Sequence, residues 1–172
     1  MDFRLKLLSI FIKKILHNNY SFQPFKLSFE SFLAKTIILR HDVDLKPQNS
    51  LATAIIENEL GIQGTYYFRM VPESFDVNII DKIADLGHEI GYHYENMDTV
   101  SSRFKRQGLK FRNTEVEKEK IIDAAYIDFC ENLEKFRKVY PVKTICMHGS
   151  PRSLWDNKEI WYKYDYRKLG II

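Results

Sequence analysis

Two short polar strings, each set at the end of an apolar run, constrain this chain more than any other feature. Thr36-Ile37-Ile38-Leu39 leads into Arg40-His41-Asp42-Val43-Asp44, and Gly87-His88-Glu89-Ile90-Gly91 leads into Tyr92-His93-Tyr94-Glu95. A short apolar run closed by acids reads as a buried strand whose C-terminal end presents carboxylates to a cleft. Side chains alternate along a strand, so Asp42 and Asp44 point to the same side. Two carboxylates side by side repel unless a cation or a shared proton offsets them. The second strand end supplies His93, a natural metal ligand. Carboxylates and an imidazole on neighbouring strand tips are the makings of a metal-dependent hydrolase.

The rest of the chain alternates between the two periodicities. Residues 47–60 form a predicted helix with Pro47 in its first turn and Gly61 as its stop. Residues 65–70 are β-branched and aromatic and predict a strand. A helix over 77–86 stopped by Gly87, and a strand over 89–94, follow. Residues 97–112 are basic and polar and predict a loop over the site. The spacing of Ile122, Tyr126, Phe129, Leu133, Phe136 and Tyr140 predicts a long helix over 114–139, opened by a Thr114/Glu117 capping box. Residues 143–147 give the next strand. Alternating strand and helix argue for parallel β/α units with functional residues at strand C-termini.

At the two strings the chain resembles the NodB-homology polysaccharide deacetylases, and its wording is most similar to a divergent branch tied to surface polysaccharides. The resemblance spans residues 36–160 and implies an α/β fold, a distorted (β/α) barrel, here incomplete. It implies that Asp42 is a general base and that Asp44 and His93 hold a divalent metal, zinc first, with nickel or cobalt as alternatives. The family's second metal histidine comes four residues after the first, where this chain has Met97, a poor ligand for a hard site. His148, after the next strand, is the first candidate to complete the set, with Asp98 as the alternative. A histidine must also protonate the leaving amine; His148 and His41 are the two candidates, and His148 cannot easily do both. The implied activity is removal of acetyl groups from N-acetylated sugars. The alternative is a catalytically silent carbohydrate-binding or scaffold domain of the same fold. The late family motifs have no counterpart before Ile172, so the chain reads as a truncated form.

Duller roles compete for several residues. His41 alternates with Asp42 and is expected to pack beneath the site; His88 and Glu89 are expected to brace structure. Trp155, Asp156 and Asn157 suit a substrate groove, or a core and a helix cap.

At 172 residues with 45% apolar content, the chain suffices for one packed domain: a lead-in with an amphipathic helix over 1–35, then the β/α domain over 36–172. A net charge of +3 without an aromatic-interleaved basic run gives no footprint for nucleic acid. Two cysteines, Cys130 and Cys146, give no disulfide framework and fit a reducing, cytoplasmic setting; Cys146 reads as a buried strand thiol rather than a nucleophile. Residues 1–16 mix Phe3, Leu7, Leu8, Ile10, Phe11, Ile15 and Leu16 with Arg4, Lys6, Lys13 and Lys14. The apolar run is too short to span a bilayer. Two placements remain: a helix packed on the barrel, or peripheral contact with the inner face of a membrane.

Overall fold

The computed structural model describes residues 3–30, 34–109, 114–149 and 153–172. Helix α1 (Phe3–His17) precedes two short parallel strands, β1 (Ser21–Gln23) and β2 (Thr36–Ile38). The main sheet follows: β3 (Arg40–Val43), α2 (Pro47–Glu59), β4 (Thr65–Phe68), α3 (Val77–Asp85) and β5 (Glu89–Tyr94). Then come α4 (Asn96–Arg106), α5 (Glu115–Arg137), β6 (Ile145–Met147) and the short α6 (Ile160–Lys163).

The four strands pair in parallel in sequence order, β3-β4-β5-β6. Each new strand joins the same edge, the helices pack on one face, and the sheet curls into a half-barrel. The alternation of the strands sorts the two faces. Tyr66, Phe68, Ile90, Tyr92 and Tyr94 point outward and meet Ile80, Ile83, Ile121, Phe129 and Phe136 of the helices in one buried cluster. The opposite parity, Arg40, Asp42, Thr65, Tyr67, Glu89, His93 and Cys146, lines the concave face, as the register sets it. The core therefore lies between sheet and helices, and the concave face is polar.

Most predicted elements stand, shifted by a residue or two at their ends. The α5 capping box is present in full, with the Thr114 hydroxyl accepting from Glu117 N–H and the Glu117 carboxylate accepting from Thr114 N–H. Three expectations need correction. The run 36–44 is not one strand: Leu39 breaks it, its carbonyl accepting from Thr65 N–H at 2.9 Å, and β2 pairs with β1 instead. Residues 97–112 do not make a loop, for α4 covers Asn96–Arg106, while 110–112 fall outside the described residues. Its helical pattern is Met97, Val100 and Ser101, all buried, with Phe104 against the same core; its basic composition masked that short apolar stripe. The apolar close Leu169-Gly170-Ile171-Ile172, whose run reads in the sequence as the start of a strand, holds none; a 3₁₀ turn (Tyr166–Leu169) ends at Gly170, and Ile172 N–H donates to the Lys143 carbonyl. Among the described residues no helix is long and apolar enough to cross a membrane.

Candidate metal centre

The C-terminal ends of β3, β5 and β6 bring the candidate residues together. Asp42 lies in β3 and Asp44 just past it; His93 lies in β5, and His148 just past β6. Asp44 Oδ1 stands 3.5 Å from His93 Nε2 and 3.4 Å from His148 Nε2. Two ligands held at about 2.0–2.2 Å by one tetrahedral ion lie about 3–4 Å apart, so this carboxylate and two imidazoles have the spacing of a shared cation. Asp42 stands beside them in an ion pair with Arg40 at 3.0 Å.

The ligand atoms are presented by specific hydrogen bonds. His93 Nδ1 lies 3.0 Å from the Cys146 carbonyl, which can only accept, so Nδ1 carries the proton and the Nε2 lone pair faces Asp44. Burial holds the His93 imidazole below its ordinary pKa, partly countered by that hydrogen bond, so it stays neutral and able to ligate. His148 is fixed through its backbone: its N–H donates to the Tyr94 carbonyl at 2.9 Å and its own carbonyl accepts from Asn157 Nδ2 at 3.0 Å. Its Nδ1 is buried, without a hydrogen-bond partner among the described residues, 3.6 Å from Glu95 Oε2. Arg69 grips Glu95 through Nε and Nη2 at 2.8–3.0 Å and reaches the Asp44 carbonyl at 3.3 Å. One guanidinium thus ties the Asp44 turn to the carboxylate behind His148. An open cleft of about 520 Å³ borders His148 and Gly149, with Ser153 and Leu154 on its wall.

The other candidates fall elsewhere. Asp98 is turned away; its carboxylate accepts from Asn157 Nδ2 at 2.9 Å, and Asn157 Oδ1 accepts from Met97 N–H at 2.8 Å. Asp98 and Asn157 therefore brace the His148 segment. Met97 is wholly buried in the core. His41 lies on the convex face, 2.7 Å from Glu57 and stacked on Tyr66, remote from the cleft. His88 Nδ1 accepts from Gly64 N–H and its Nε2 donates to the Ala54 carbonyl, both at 3.0 Å. Glu89 accepts from Lys26 N–H and the Thr65 and Thr144 hydroxyls, closing the other end of the concave face. Trp155 is buried and Asp156 caps a 3₁₀ turn. Ser150 and Pro151, which follow Gly149 in the sequence, lie outside the described residues.

Two residues, Arg69 and Glu95, have no role in the sequence reading, and Cys146 has only that of a strand thiol. Cys146 groups with Asp42 and His93 as a second potential donor set; the two-residue parity that pairs Asp42 with Asp44 also pairs Cys146 with His148. Burial, with the negative charge of Asp42 adding to it, pushes the Cys146 thiol up to about 11, against a nucleophilic role. Arg69 and Glu95 sit one residue past β4 and β5, the same strand-tip signal that marked Asp44 and His148. In comparisons with protein-family models, curated proteins and solved structures, nothing matches this chain.

Proposed function

We propose that this half-barrel is a metal-dependent hydrolase of the NodB-homology type that removes acetyl groups from N-acetylated sugars. The observation that carries the reading is the convergence of Asp44, His93 and His148 ligand atoms, with Asp42 alongside. Two imidazoles and a carboxylate suit zinc, cobalt or nickel, and a divalent ion held there lowers the pKa of a bound water and polarises a carbonyl. Asp44, His93 and His148 hold; Asp42 accepts the proton of the attacking water. Arg40 keeps the Asp42 carboxylate oriented on the concave side. With His148 among the ligands and His41 on the convex face, Asp42, once protonated, is the acid within reach of the leaving amine. On this reading the sugar would occupy the cleft beside His148.

That shortage of a separate general acid favours a second reading, a domain that binds metal and sugar without turning it over. Metal content of the purified chain, together with acetate release from an N-acetylhexosamine oligomer, separates the two. Asp44→Ala and His93→Ala lose the metal, whereas Asp42→Asn keeps it and loses turnover. Unchanged metal affinity in Asp44→Ala overturns the assignment; a metal-loaded chain without acetate release selects the binding domain.

We also infer a cytoplasmic location with peripheral contact at the inner face of a membrane through α1. Phe3, Leu7, Ile10 and Phe11 are exposed and fall at i, i+4, i+7 and i+8, one stripe, while Ile12 on the opposite side is buried. Lys6, Lys13 and Lys14 accompany the stripe, and the helix contains no acid.

A further inference from the structure

His93 belongs to two donor sets. One is Asp44, His93 and His148; the other is Asp42, His93 and Cys146, whose ligand atoms likewise all lie within 4.8 Å of one another. The second set follows from sheet register, because His93 and Cys146 are direct partners across β5 and β6 and share the concave face with Asp42. The two sets differ in chemistry. The first offers nitrogen and oxygen only; the second adds sulfur, which selects soft cations. They also compete for the same atom. With Nδ1 bonded to the Cys146 carbonyl, His93 has a single lone pair, on Nε2, to give.

We propose that Asp42, His93 and Cys146 form a second, thiophilic cation site that excludes the Asp44–His93–His148 site by sharing His93. A soft divalent ion displaces the Cys146 thiol proton to solvent, forms a metal–thiolate bond, and takes Asp42 and His93 as further ligands. Occupation therefore removes both the ligand and the base on which the proposed hydrolysis depends, making the site an inhibitory position for soft metals. This inference rests on the functional reading for its consequence, but its chemistry can be tested alone.

Cadmium is the probe. Titration of the full chain with cadmium alone is expected to produce a thiolate-to-cadmium charge-transfer absorption. The band persists in Cys130→Ser, the other cysteine, and in Asp44→Asn. It disappears in Cys146→Ser, with cadmium weakened at least about tenfold, while manganese affinity stays within about twofold. Manganese bound to the wild type, followed by electron paramagnetic resonance, is released by about one equivalent of cadmium. Cadmium NMR of the wild type, reporting a sulfur donor, keeps the test independent of how the variant folds. Absence of the band in the wild type, its retention in Cys146→Ser, or simultaneous binding of both ions overturns the proposal. Zinc or manganese binding without a Cys146-dependent cadmium signal overturns the thiol site and leaves the hydrolase reading in place. The cadmium band in a chain that binds neither zinc nor manganese does the reverse.

Discussion

The imidazole of His148 leans on a carboxylate just beyond hydrogen-bond reach. Glu95 Oε2 stands 3.6 Å from a buried Nδ1 that has no hydrogen-bond partner among the described residues, and Arg69 holds that carboxylate in place. A carboxylate behind a ligating histidine fixes its tautomer and raises its basicity. Glu95→Gln is therefore expected to weaken zinc by about 10–100-fold in a calorimetric titration with little change in melting temperature. Unaltered zinc affinity would show that His148 needs no such support. His88 makes a second residue-level prediction, on stability. Burial lowers its pKa below the ordinary 6.5, the hydrogen bond to Ala54 opposing, so in that window the unfolded chain binds the extra proton. Stability is intact above 6.5 and falls as the pH drops through that value toward the folded pKa, by up to about 1.4 kcal/mol per pH unit. Urea unfolding at about pH 7.5 and about pH 5.5 should show the loss, and His88→Gln should shrink the difference; an equal pH dependence in both proteins places the titrating group elsewhere. Asp42, Asp44, His93 and His148 were legible because strand ends mark themselves with a switch from apolar to polar. Glu95 and Arg69 carry the same strand-tip signal, but their role is not legible, because it depends on reaching across from one strand tip to another, a distance that no single strand's pattern contains.

Between residues and fold, the elements are positioned by a few steric requirements. Gly91 is one: a Cβ there would stand 2.3 Å from Tyr67 Cε1, so the buried Tyr67 ring lies directly over the glycine on the concave face. Gly91→Ala forces the ring off its rotamer and is expected to destabilise the fold by about 1–3 kcal/mol. Tyr67→Leu should absorb part of that loss, so a double-mutant cycle in urea should give clear coupling; strictly additive effects would mean that the ring is not the obstacle. The long elements were readable because their periodicity runs over many residues, as in α5 with its cap. Helix α4 was missed because its buried positions are few and Arg103, Lys105 and Arg106 dominate its composition. What stabilises it is tertiary: Arg103 pairs with Asp128 of α5 at 2.6 Å, and Asn96 Nδ2 donates to the same carboxylate at 2.7 Å. The split of the first strand at Leu39 was equally hidden, since an apolar run does not say which neighbour it pairs with.

For the molecule as a whole, sequence alternation decides that one sheet face packs on helices and the other stays polar, and α1 adds a second surface of mixed character. Its inward side carries the buried Ile12, yet Phe3, Leu7, Ile10 and Phe11 remain exposed along the other side. Among the described residues no ion pair engages Lys6, Lys13 or Lys14. Each apolar side chain sunk into a bilayer interface contributes up to about 1.5–3 kcal/mol, and each lysine near an anionic surface about 1 kcal/mol more. For the membrane contact proposed for α1, these contributions predict reversible attachment of an intact fold rather than insertion across the bilayer. The protein is therefore expected to co-sediment with vesicles containing phosphatidylglycerol and far less with pure phosphatidylcholine, and to be released by high salt. Lys13→Glu with Lys14→Glu should abolish the preference for anionic lipid, and Leu7→Ser with Phe11→Ser should weaken attachment to both, with the circular dichroism of the fold unchanged. Equal binding to both vesicle types, or binding indifferent to these substitutions, would assign the stripe to something other than a charged membrane surface.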